Sequence, residues 1–412
     1  MIMKNLLFKP QSDVQARQET CRLGLGELVL SRCLRHIQIG RLSVVYPSGT
    51  HETYGDAESG PQAELEIYSL KTALRMLISG DLGLAQGYMD GEWNTADLTS
   101  LLMLGARNIS TLSDVATPSW WARVLSRLHH SSRANTRDGS RRNIAAHYDL
   151  GNAFYNLWLD ESMTYSSGLF IDMDEPLAVA QRRKYLRLAE KLNLQPGDRV
   201  LEIGCGWGDF AEIAAAEYGC SVVGLTLSVE QANYARNRMD RVGLSKLVDI
   251  RIQDYRDVFG EFDKIVSIEM FEAVGEKNWE TYFRVLKRCL KPGGLAALQV
   301  ITIADSHYAA YRKNPDFIQR YIFPGGMLPS PSAFANAVTA ADLQIADRFD
   351  FGSSYAETLR RWNTSFQNQW PAIEALGFDR RFRRMWEYYL CYCEVGMDTG
   401  QVDVSQFVIE CR

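Results

Sequence analysis

The sequence lacks any apolar run close to the roughly 18 residues that a membrane-spanning helix needs. Its first residues, MIMKNLLFKPQSDVQ, include no long apolar core with a small-residue cleavage site, so we expect no signal peptide. The eight cysteines are scattered and form no Cys-x-x-Cys pair, which argues against a zinc ribbon or a disulfide framework and favours reduced thiols in the cytoplasm. The net charge of −5 argues against general nucleic-acid binding.

What is present is the ordinary mixture of a folded protein, with 46% hydrophobic and 23% charged residues on a chain of 412 residues. That length exceeds one compact core, so two domains are expected. A basic segment from 123 to 142, RVLSRLHHSSRANTRDGSRR, holds six arginines and a single acid. Its composition predicts a flexible linker between an N-terminal α+β domain, residues 1–122, and a larger C-terminal domain, residues 143–412.

Two interpretations of the basic segment remain open. It is either a solvated hinge or an arm on anionic lipid, where each Lys or Arg near the surface contributes about 1 kcal/mol. Trp120 and Trp121 precede it and suit a membrane interface, although a docking helix explains them equally well. The lipid arm predicts vesicle binding that weakens as salt rises and when Arg141 and Arg142 become Ser, whereas the hinge predicts neither effect.

Helical and strand patterns alternate through the C-terminal part. Its strands are mostly apolar without a strict in-out alternation, which is typical of a parallel sheet covered on both faces. The predicted strands are RVLEIG, CSVVGLTL, VDIRIQDY, FDKIVSIEM and LAALQVITI. The helix that follows CSVVGLTL begins after Ser228, a suitable N-cap.

The first of these strands leads into a turn with three glycines, Gly204, Gly206 and Gly208. Ligands of such sheets bind outside the carboxyl ends of the strands, and a residue without a Cβ lets the backbone approach them closely. The spacing lacks the Gly-x-Gly-x-x-Gly register of a pyrophosphate site. With Glu202 before the turn and KPGG before a later strand, the pattern resembles the class I fold of S-adenosylmethionine-dependent methyltransferases.

A narrower resemblance covers about residues 143 to 412. Most methyltransferases carry an acid after the second strand, whereas this chain has Thr-x-Ser-x-x-Gln at that place. The sequence resembles the cyclopropane-fatty-acyl-phospholipid synthase family, which includes the mycolic acid methyltransferases. The resemblance implies an α/β, Rossmann-like class I methyltransferase domain with a smaller N-terminal α+β domain. The segments that carry it are, in order, HYDLGNAFYNLWLDESMTYSSGLF, VLEIGCGWG, VVGLTLSVEQ, QDYRD, FDKIVSIEMFEAVG, YFRVLKRCLKPGG, YIFPGGMLPS and YYLCYCEVGM.

The resemblance implies S-adenosylmethionine as cofactor and no metal. Different residues are expected to contact the amino-acid end of the cofactor, its methionine and ribose, and its adenine. For Asp254, a helix-capping role is a second explanation. The implied cofactor-binding residues are Tyr165, Ser166, Gly204, Gly206, Thr226, Ser228, Gln231, Gln253 and Asp254.

The same family holds a bicarbonate ion that removes a proton from the added methyl group. Its cradle consists of a Cys, a Glu, a His, an Ile main-chain group and a Tyr. Glu272, Ile301 and Tyr355 match three of these positions, while Ser167 replaces the Cys and Gln299 replaces the His. Both replacements can hydrogen-bond an anion but carry no charge. We therefore expect bicarbonate at an altered site, with Glu272 orienting it.

Attack of an alkene on the sulfonium leaves a carbocation, which aromatic faces can stabilise without reacting. Several aromatic residues are expected near the mouth of the site, although core packing explains any one of them. They are Tyr148, Tyr165, Phe271, Tyr308, Tyr321, Phe323 and Tyr355.

The resemblance implies methyl(ene) transfer to the cis double bond of an unsaturated acyl chain in a membrane phospholipid, giving a cyclopropane ring. The alternative is a methyl- or methylene-branched chain. Two rival classes are a lipid-binding protein on an inactive methyltransferase fold and a methyltransferase for a small polar metabolite. The expected partners are unsaturated phospholipids at the anionic, cytoplasmic face of a membrane and no nucleic acid, with a homodimer left open.

Overall fold

The computed structural model describes residues 23–113 and 150–411. The predicted linker and the adjacent Trp120, Trp121 and Tyr148 lie outside the described residues. Within the described ranges, no helix combines the length and the apolarity needed to cross a membrane.

The N-terminal part is a small α+β unit, as expected. Its four strands pair in the order β2-β1-β3-β4, and β3 alternates exposed and buried positions, so one sheet face packs on helices. The elements are α1 (Leu25–Leu34), β1 (Gly40–Val45), β2 (His51–Asp56), β3 (Gln62–Ile67), α2 (Lys71–Ser79), α3 (Asp81–Met89), β4 (Trp93–Asn94), α4 (Leu98–Arg107) and α5 (Ile109–Ser113).

The C-terminal part is built on a seven-stranded sheet with helices on both faces. The elements are α6 (Asn152–Tyr155), α7 (Leu177–Lys191), β5 (Arg199–Ile203), α8 (Asp209–Tyr218), β6 (Ser221–Thr226), α9 (Val229–Arg241), β7 (Val248–Ile252), β8 (Phe262–Ile268), α10 (Trp279–Cys289), β9 (Leu290–Ile303), α11 (Asp305–Tyr311), α12 (Pro331–Ala340), β10 (Leu343–Asp350), α13 (Gly352–Asn368), α14 (Trp370–Ala375), α15 (Arg380–Asp398) and β11 (Val402–Cys411).

The strand order is β10-β11-β9-β8-β5-β6-β7. Strands β5 to β9 are mutually parallel, which confirms the predicted parallel sheet. Strand β11 runs antiparallel to both β9 and β10, a pairing that the sequence patterns did not predict. Because β5 pairs with β6 on one side and β8 on the other, the order reverses there, and a crevice opens beyond its carboxyl end.

The two parts pack together through helix α15. The guanidinium of Arg384 donates to the main-chain carbonyls of Tyr88 and Trp93 and lies 3.8 Å from the centre of the Tyr88 ring. The hydroxyl of Tyr88 also donates to Glu387 at 2.9 Å. Arg384 is buried, so these bonds to main-chain carbonyls fix the N-terminal unit against the larger domain.

Candidate active site

One continuous cavity of about 880 Å³ joins the glycine turn to the N-terminal unit. Its cofactor end lies beyond strands β5, β6 and β7, and its far end is lined by apolar residues from α2, α3 and α4, including Met76, Leu84 and Leu101. Ligand pockets range from roughly 300 to 1,000 Å³, so this cavity lies near the upper end of that range. The wall from the N-terminal unit makes the cavity a feature of both parts of the chain.

The glycine turn borders the cofactor end of the cavity, and its glycines serve different purposes. A Cβ on Gly206 would meet no protein atom within 4 Å, so this glycine faces open cavity and leaves room for a ligand against the backbone. A Cβ on Gly204 would instead lie 2.8 Å from the side chain of Met270. The close approach predicted for a ligand therefore applies to Gly206, whereas Gly204 permits packing within the protein. This open space fits S-adenosylmethionine, whose bound sulfonium supplies the methyl group.

The Thr-x-Ser-x-x-Gln segment forms a small hydrogen-bonded unit beside the turn. The Thr226 hydroxyl donates to the Gln231 side chain at 2.8 Å, and both residues line the cavity. Ser228 is placed differently, because its hydroxyl accepts from the Gln231 N–H at 3.3 Å and caps α9. Ser228 is not among the cavity-lining residues, so the structure assigns it the predicted N-cap rather than a pocket contact.

Gln253 and Asp254 lie at the rim of the same end. The Gln253 amide donates to the main-chain oxygen of Asp257 at 2.8 Å. The carboxylate of Asp254 accepts from the Arg256 main-chain N–H at 3.0 Å and forms an ion pair with its guanidinium at 2.6 Å. The capping role considered for Asp254 is thus present, while both predicted residues border the cavity.

Tyr165 and Ser166 line the cavity next to the turn. The Tyr165 hydroxyl shares a 2.8 Å hydrogen bond with the Tyr389 hydroxyl. The ammonium of the fully buried Lys184 donates to the Ser166 hydroxyl. Burial lowers the pKa of Lys184 to about 7, and attraction to Glu269 opposes that fall.

The predicted bicarbonate cradle surrounds a carboxylate of the protein itself. Glu269, which the resemblance did not select, accepts from the Ser167 main-chain N–H at 2.8 Å and from the Gln299 amide at 2.7 Å. Its other oxygen accepts from the Tyr355 hydroxyl at 2.7 Å. The hydroxyl of Ser167 donates to the Gly168 carbonyl at 2.8 Å, so this side chain does not face the cavity as expected. Three predicted bicarbonate contacts are therefore already made with Glu269.

Glu272 and Ile301, the remaining pair, are together as the sequence predicted. The Ile301 main-chain N–H donates to one oxygen of Glu272. The other oxygen is buried and has no hydrogen-bond partner among the described residues. Burial raises the pKa of Glu272 to about 8, and repulsion from Glu269 adds to that rise. This carboxyl group is consequently mostly neutral at pH 7.

Glu269 lies in a more polar setting than Glu272. Burial raises its pKa, although attraction to Lys184 and the hydrogen bonds from Tyr355, Ser167 and Gln299 oppose the rise. Both carboxyl groups line the same cavity as the glycine turn. The site thus combines one heavily hydrogen-bonded carboxylate, one neutral carboxylic acid and a neighbouring cofactor pocket, which is an arrangement suited to proton transfer.

Residues 135–407 match a family described as mycolic acid cyclopropane synthetase. The chain belongs to this family. The tuberculostearic acid methyltransferase UfaA1 of Mycobacterium tuberculosis is 40% identical over 396 residues, which cover 93% of this chain and 90% of that relative. The cyclopropane-fatty-acyl-phospholipid synthase of Escherichia coli K12 is 39% identical over 352 residues, covering 84% and 87%.

A solved structure supports the same assignment. The mycolic acid cyclopropane synthase CmaA1, complexed with SAH and CTAB, superposes with a TM-score of 0.62 at 31% identity and covers 65% of this chain and 97% of that one. As a member of the mycolic acid cyclopropane synthetase family, the chain is an S-adenosylmethionine-dependent methyltransferase that modifies lipid acyl chains.

In this cyclopropane synthetase family member, the expected aromatic residues divide between cavity and core. Tyr165, Phe323 and Tyr355 line the cavity, whereas Phe271 is 1% exposed and packs in the core beneath the sheet. Tyr308 also packs against that core, and the Tyr321 hydroxyl accepts from Gln86 of the N-terminal unit at 2.8 Å. The sequence reasoning missed three tyrosines of α15 that line the cavity, Tyr388, Tyr389 and Tyr392.

Proposed function

We propose that the chain transfers the methyl group of S-adenosylmethionine to the cis double bond of an unsaturated acyl chain in a phospholipid and forms a cyclopropane ring. The observation that carries this proposal is the single cavity in which an apolar wall, the cofactor turn and the carboxylate of Glu269 meet. A polar metabolite would leave the apolar wall from α2, α3 and α4 unfilled, whereas an acyl chain would bury it.

The tyrosine faces support the cationic step. Once an alkene carbon has taken the methyl group, the neighbouring carbon is positive and would react with water. Tyr165, Tyr355 and Tyr389 border the cavity close to Glu269, and an aromatic ring face stabilises a nearby cation by about 0.5–2 kcal/mol. The buried position of Tyr355 and Tyr389 also keeps bulk water from that carbon.

A phospholipid head group is the part of the substrate with the most specific support. A second cavity of about 420 Å³ adjoins the first and shares Ala106, Ile109, His307 and Gln401 with it. Arg107 lines this second cavity, is exposed and has no ion pair among the described residues. An arginine in a cavity next to the apolar one suits a phosphate whose acyl chain lies inside. The Asp398 carboxylate, which also lines this second cavity, forms an ion pair with Arg360 at 3.4 Å.

A second product follows from the same cation. A hydride shift before the loss of the proton leaves a methylene-branched chain instead of a ring. The relative named for tuberculostearic acid favours this outcome, because its match extends over 93% of this chain, including the N-terminal unit. The two products are isomers, because each results from the transfer of one methyl group and the loss of one proton.

The test uses the full chain, labelled S-adenosylmethionine and vesicles of dioleoyl phosphatidylglycerol. We expect label in the acyl chains as one added CH₂ unit, and upfield ring-proton NMR signals for a cyclopropane or vinylidene signals for a methylene branch. Matched vesicles with saturated chains should take up no label. No transfer to the unsaturated vesicles would contradict the proposal.

A separate pair of variants tests the head-group contact. Arg107→Gln should raise the KM for phosphatidylglycerol vesicles about fivefold, because one cationic contact near an anionic surface contributes about 1 kcal/mol, and should leave kcat unchanged. Arg41→Gln, on strand β1 and outside both cavities, is the control. Equal KM values for both variants would contradict the assignment of Arg107 to the head-group site.

A further inference from the structure

The hydrogen bonds around Glu269 conflict with a bicarbonate ion at the implied position. The implied cradle consists of the groups at Ser167, Gln299, Tyr355, Glu272 and Ile301. Three of those five already contact the Glu269 carboxylate at 2.7 to 2.8 Å, and the fourth and fifth contact each other. Because the donors of Ser167, Gln299 and Tyr355 already bind the Glu269 carboxylate, the residues present do not fit a bicarbonate ion.

We propose that the carboxylate of Glu269 takes the place of the bicarbonate ion and is itself the base that removes the proton from the added methyl group. The proposal rests on the function proposed above and names the residue that completes it. It also predicts that turnover needs no added bicarbonate, a property that separates this chain from relatives with an open cradle.

The proposed reaction needs only the alkene, S-adenosylmethionine and Glu269, and its atoms and electrons balance. The alkene electron pair forms the new bond to the methyl carbon, the sulfonium leaves as a neutral thioether, and the adjacent acyl carbon becomes positive. A C–H bond of the methyl group then breaks, its proton passes to Glu269 and its electron pair closes the ring. For the methylene product, a hydride first shifts from the methylated carbon to the positive carbon, and the same electron pair then forms the double bond. The proton afterwards leaves Glu269 to solvent, which restores the carboxylate.

The surroundings of Glu269 answer the main objection, which is that a carboxylate could capture the methyl group directly. One oxygen accepts two hydrogen bonds and the other accepts one, and the Lys184 ammonium is nearby. These donors hold the negative charge on the oxygens and reduce their reactivity as nucleophiles, while a proton can still be accepted. The orientation of the carboxylate is fixed from three different segments of the chain.

The backbone at Glu269 makes a clean test available. This residue has a φ of +50°, in the left-handed region that favours glycine. Glu269→Gly therefore removes the carboxylate and relieves backbone strain in the same change, so the variant should fold. It also leaves an anion-sized space beside the freed donors of Gln299 and Tyr355.

The experiment compares wild type, Glu269→Gly and Glu269→Gln in CO₂-depleted buffer with and without added bicarbonate, using unsaturated phosphatidylglycerol vesicles. We expect wild type to be unaffected by bicarbonate. Both variants should lose about 10²–10⁴-fold in turnover without it, the usual contribution of a positioned base. Bicarbonate or formate should restore a large part of the activity to Glu269→Gly but not to Glu269→Gln, whose amide still fills the space.

Binding supplies a readout that does not depend on turnover. ¹³C NMR with labelled bicarbonate should show binding to Glu269→Gly and none to wild type, and calorimetry should show unchanged affinity for S-adenosylhomocysteine in all variants. Glu374→Gln, an exposed position on α14, is the control for the loss of one carboxylate. Bicarbonate binding to wild type, or full activity of Glu269→Gly without bicarbonate, would overturn the proposal. If wild type modifies no acyl chain under any condition, the proposed function fails instead.

Discussion

The two ends of the cavity differ in how the chain builds them. The cofactor end consists of the loops after β5, β6 and β7 together with the segment at Tyr165 and Ser166, so each contact group comes from a short continuous segment. At the acyl end, by contrast, Glu269 meets residues that are 102, 30 and 86 positions away in sequence. The first arrangement follows from local motifs. The second depends on tertiary packing, which allows the role of a group to move to a different residue.

The largest expected effect is at the cofactor end. Gly206→Val should weaken S-adenosylhomocysteine binding by at least about 100-fold, equivalent to about 2.7 kcal/mol, because the side chain enters the open space beside the turn. Calorimetry measures the affinity.

Backbone strain needs a separate control, since Gly206 has a φ of +52°. Gly243 has a φ of +74° and lies outside the cavity, and a Cβ there would likewise meet no atom within 4 Å. Gly243→Val should therefore lower the Tm by a similar amount and keep full cofactor affinity. Equal affinities in two folded variants would contradict the placement of the cofactor.

The acyl end should respond in rate rather than in cofactor affinity. Gln299→Ala removes one donor from Glu269, and a hydrogen bond to a charged group contributes about 1.5–3 kcal/mol. We expect kcat to fall roughly 10- to 100-fold with unchanged S-adenosylhomocysteine binding. Gln299→His should be tolerated, because an imidazole can donate to Glu269 while its other nitrogen accepts from Gln406, as Gln299 now does at 3.0 Å. A loss of cofactor affinity in Gln299→Ala would contradict the claim that Gln299 acts at the acyl end and not at the cofactor end.

The apolar wall can be tested with one helical glycine. Gly105 lies in α4, lines the cavity, and a Cβ there would meet no atom within 4 Å. Gly105→Leu should raise stability by roughly 1 kcal/mol through helix propensity, yet fill the acyl space. We expect the KM for dioleoyl vesicles to rise several-fold and that for shorter unsaturated chains to rise less, with vesicle assays as the measurement. A variant with the same chain-length preference as wild type would place the acyl chain elsewhere.

The smallest expected effect is a pH-dependent change in stability caused by the carboxyl group of Glu272. Glu272 has a pKa of about 8 in the folded protein, above its usual value near 4.5, so the folded state holds a proton that the unfolded state releases. Stability from this group therefore falls as pH rises between those values. Glu272→Gln, which is always neutral, should gain a few degrees in Tm over wild type at pH 8 and little at pH 5. A Tm difference independent of pH would contradict the assignment, and Glu374→Gln is the control.

Local sequence patterns were most informative near the cofactor end, where short motifs have fixed spacing. The parallel strands, the turn at Gly206 and the cap at Ser228 all follow from local patterns. The antiparallel strands β10 and β11 were not predicted, since the exposed residues of β10 give it no continuous apolar run.

Glu269 was missed for a related reason. It stands three positions before Glu272 in SIEMFEAVG, at the end of a strand, and the resemblance directed attention to Glu272. Glu269 could have been found from the positions at which this sequence departs from the implied bicarbonate cradle. The Cys and His that the resemblance implies are absent at 167 and 299, and an acid is present at 269. Gln299 supplies an amide donor where the family has a His, but only the fold shows that this amide and the Ser167 main chain both meet Glu269.

The left-handed backbone at Glu269 bears on how such enzymes diverge. Glutamate and glycine codons differ by a single base, and at a φ of +50° glycine needs no change of the main chain. With Glu269 as the proposed base, a lineage could exchange a covalently attached base for one drawn from dissolved carbon dioxide, or the reverse, in one mutational step. The same step would make lipid modification depend on, or independent of, the carbonate supply of the cell.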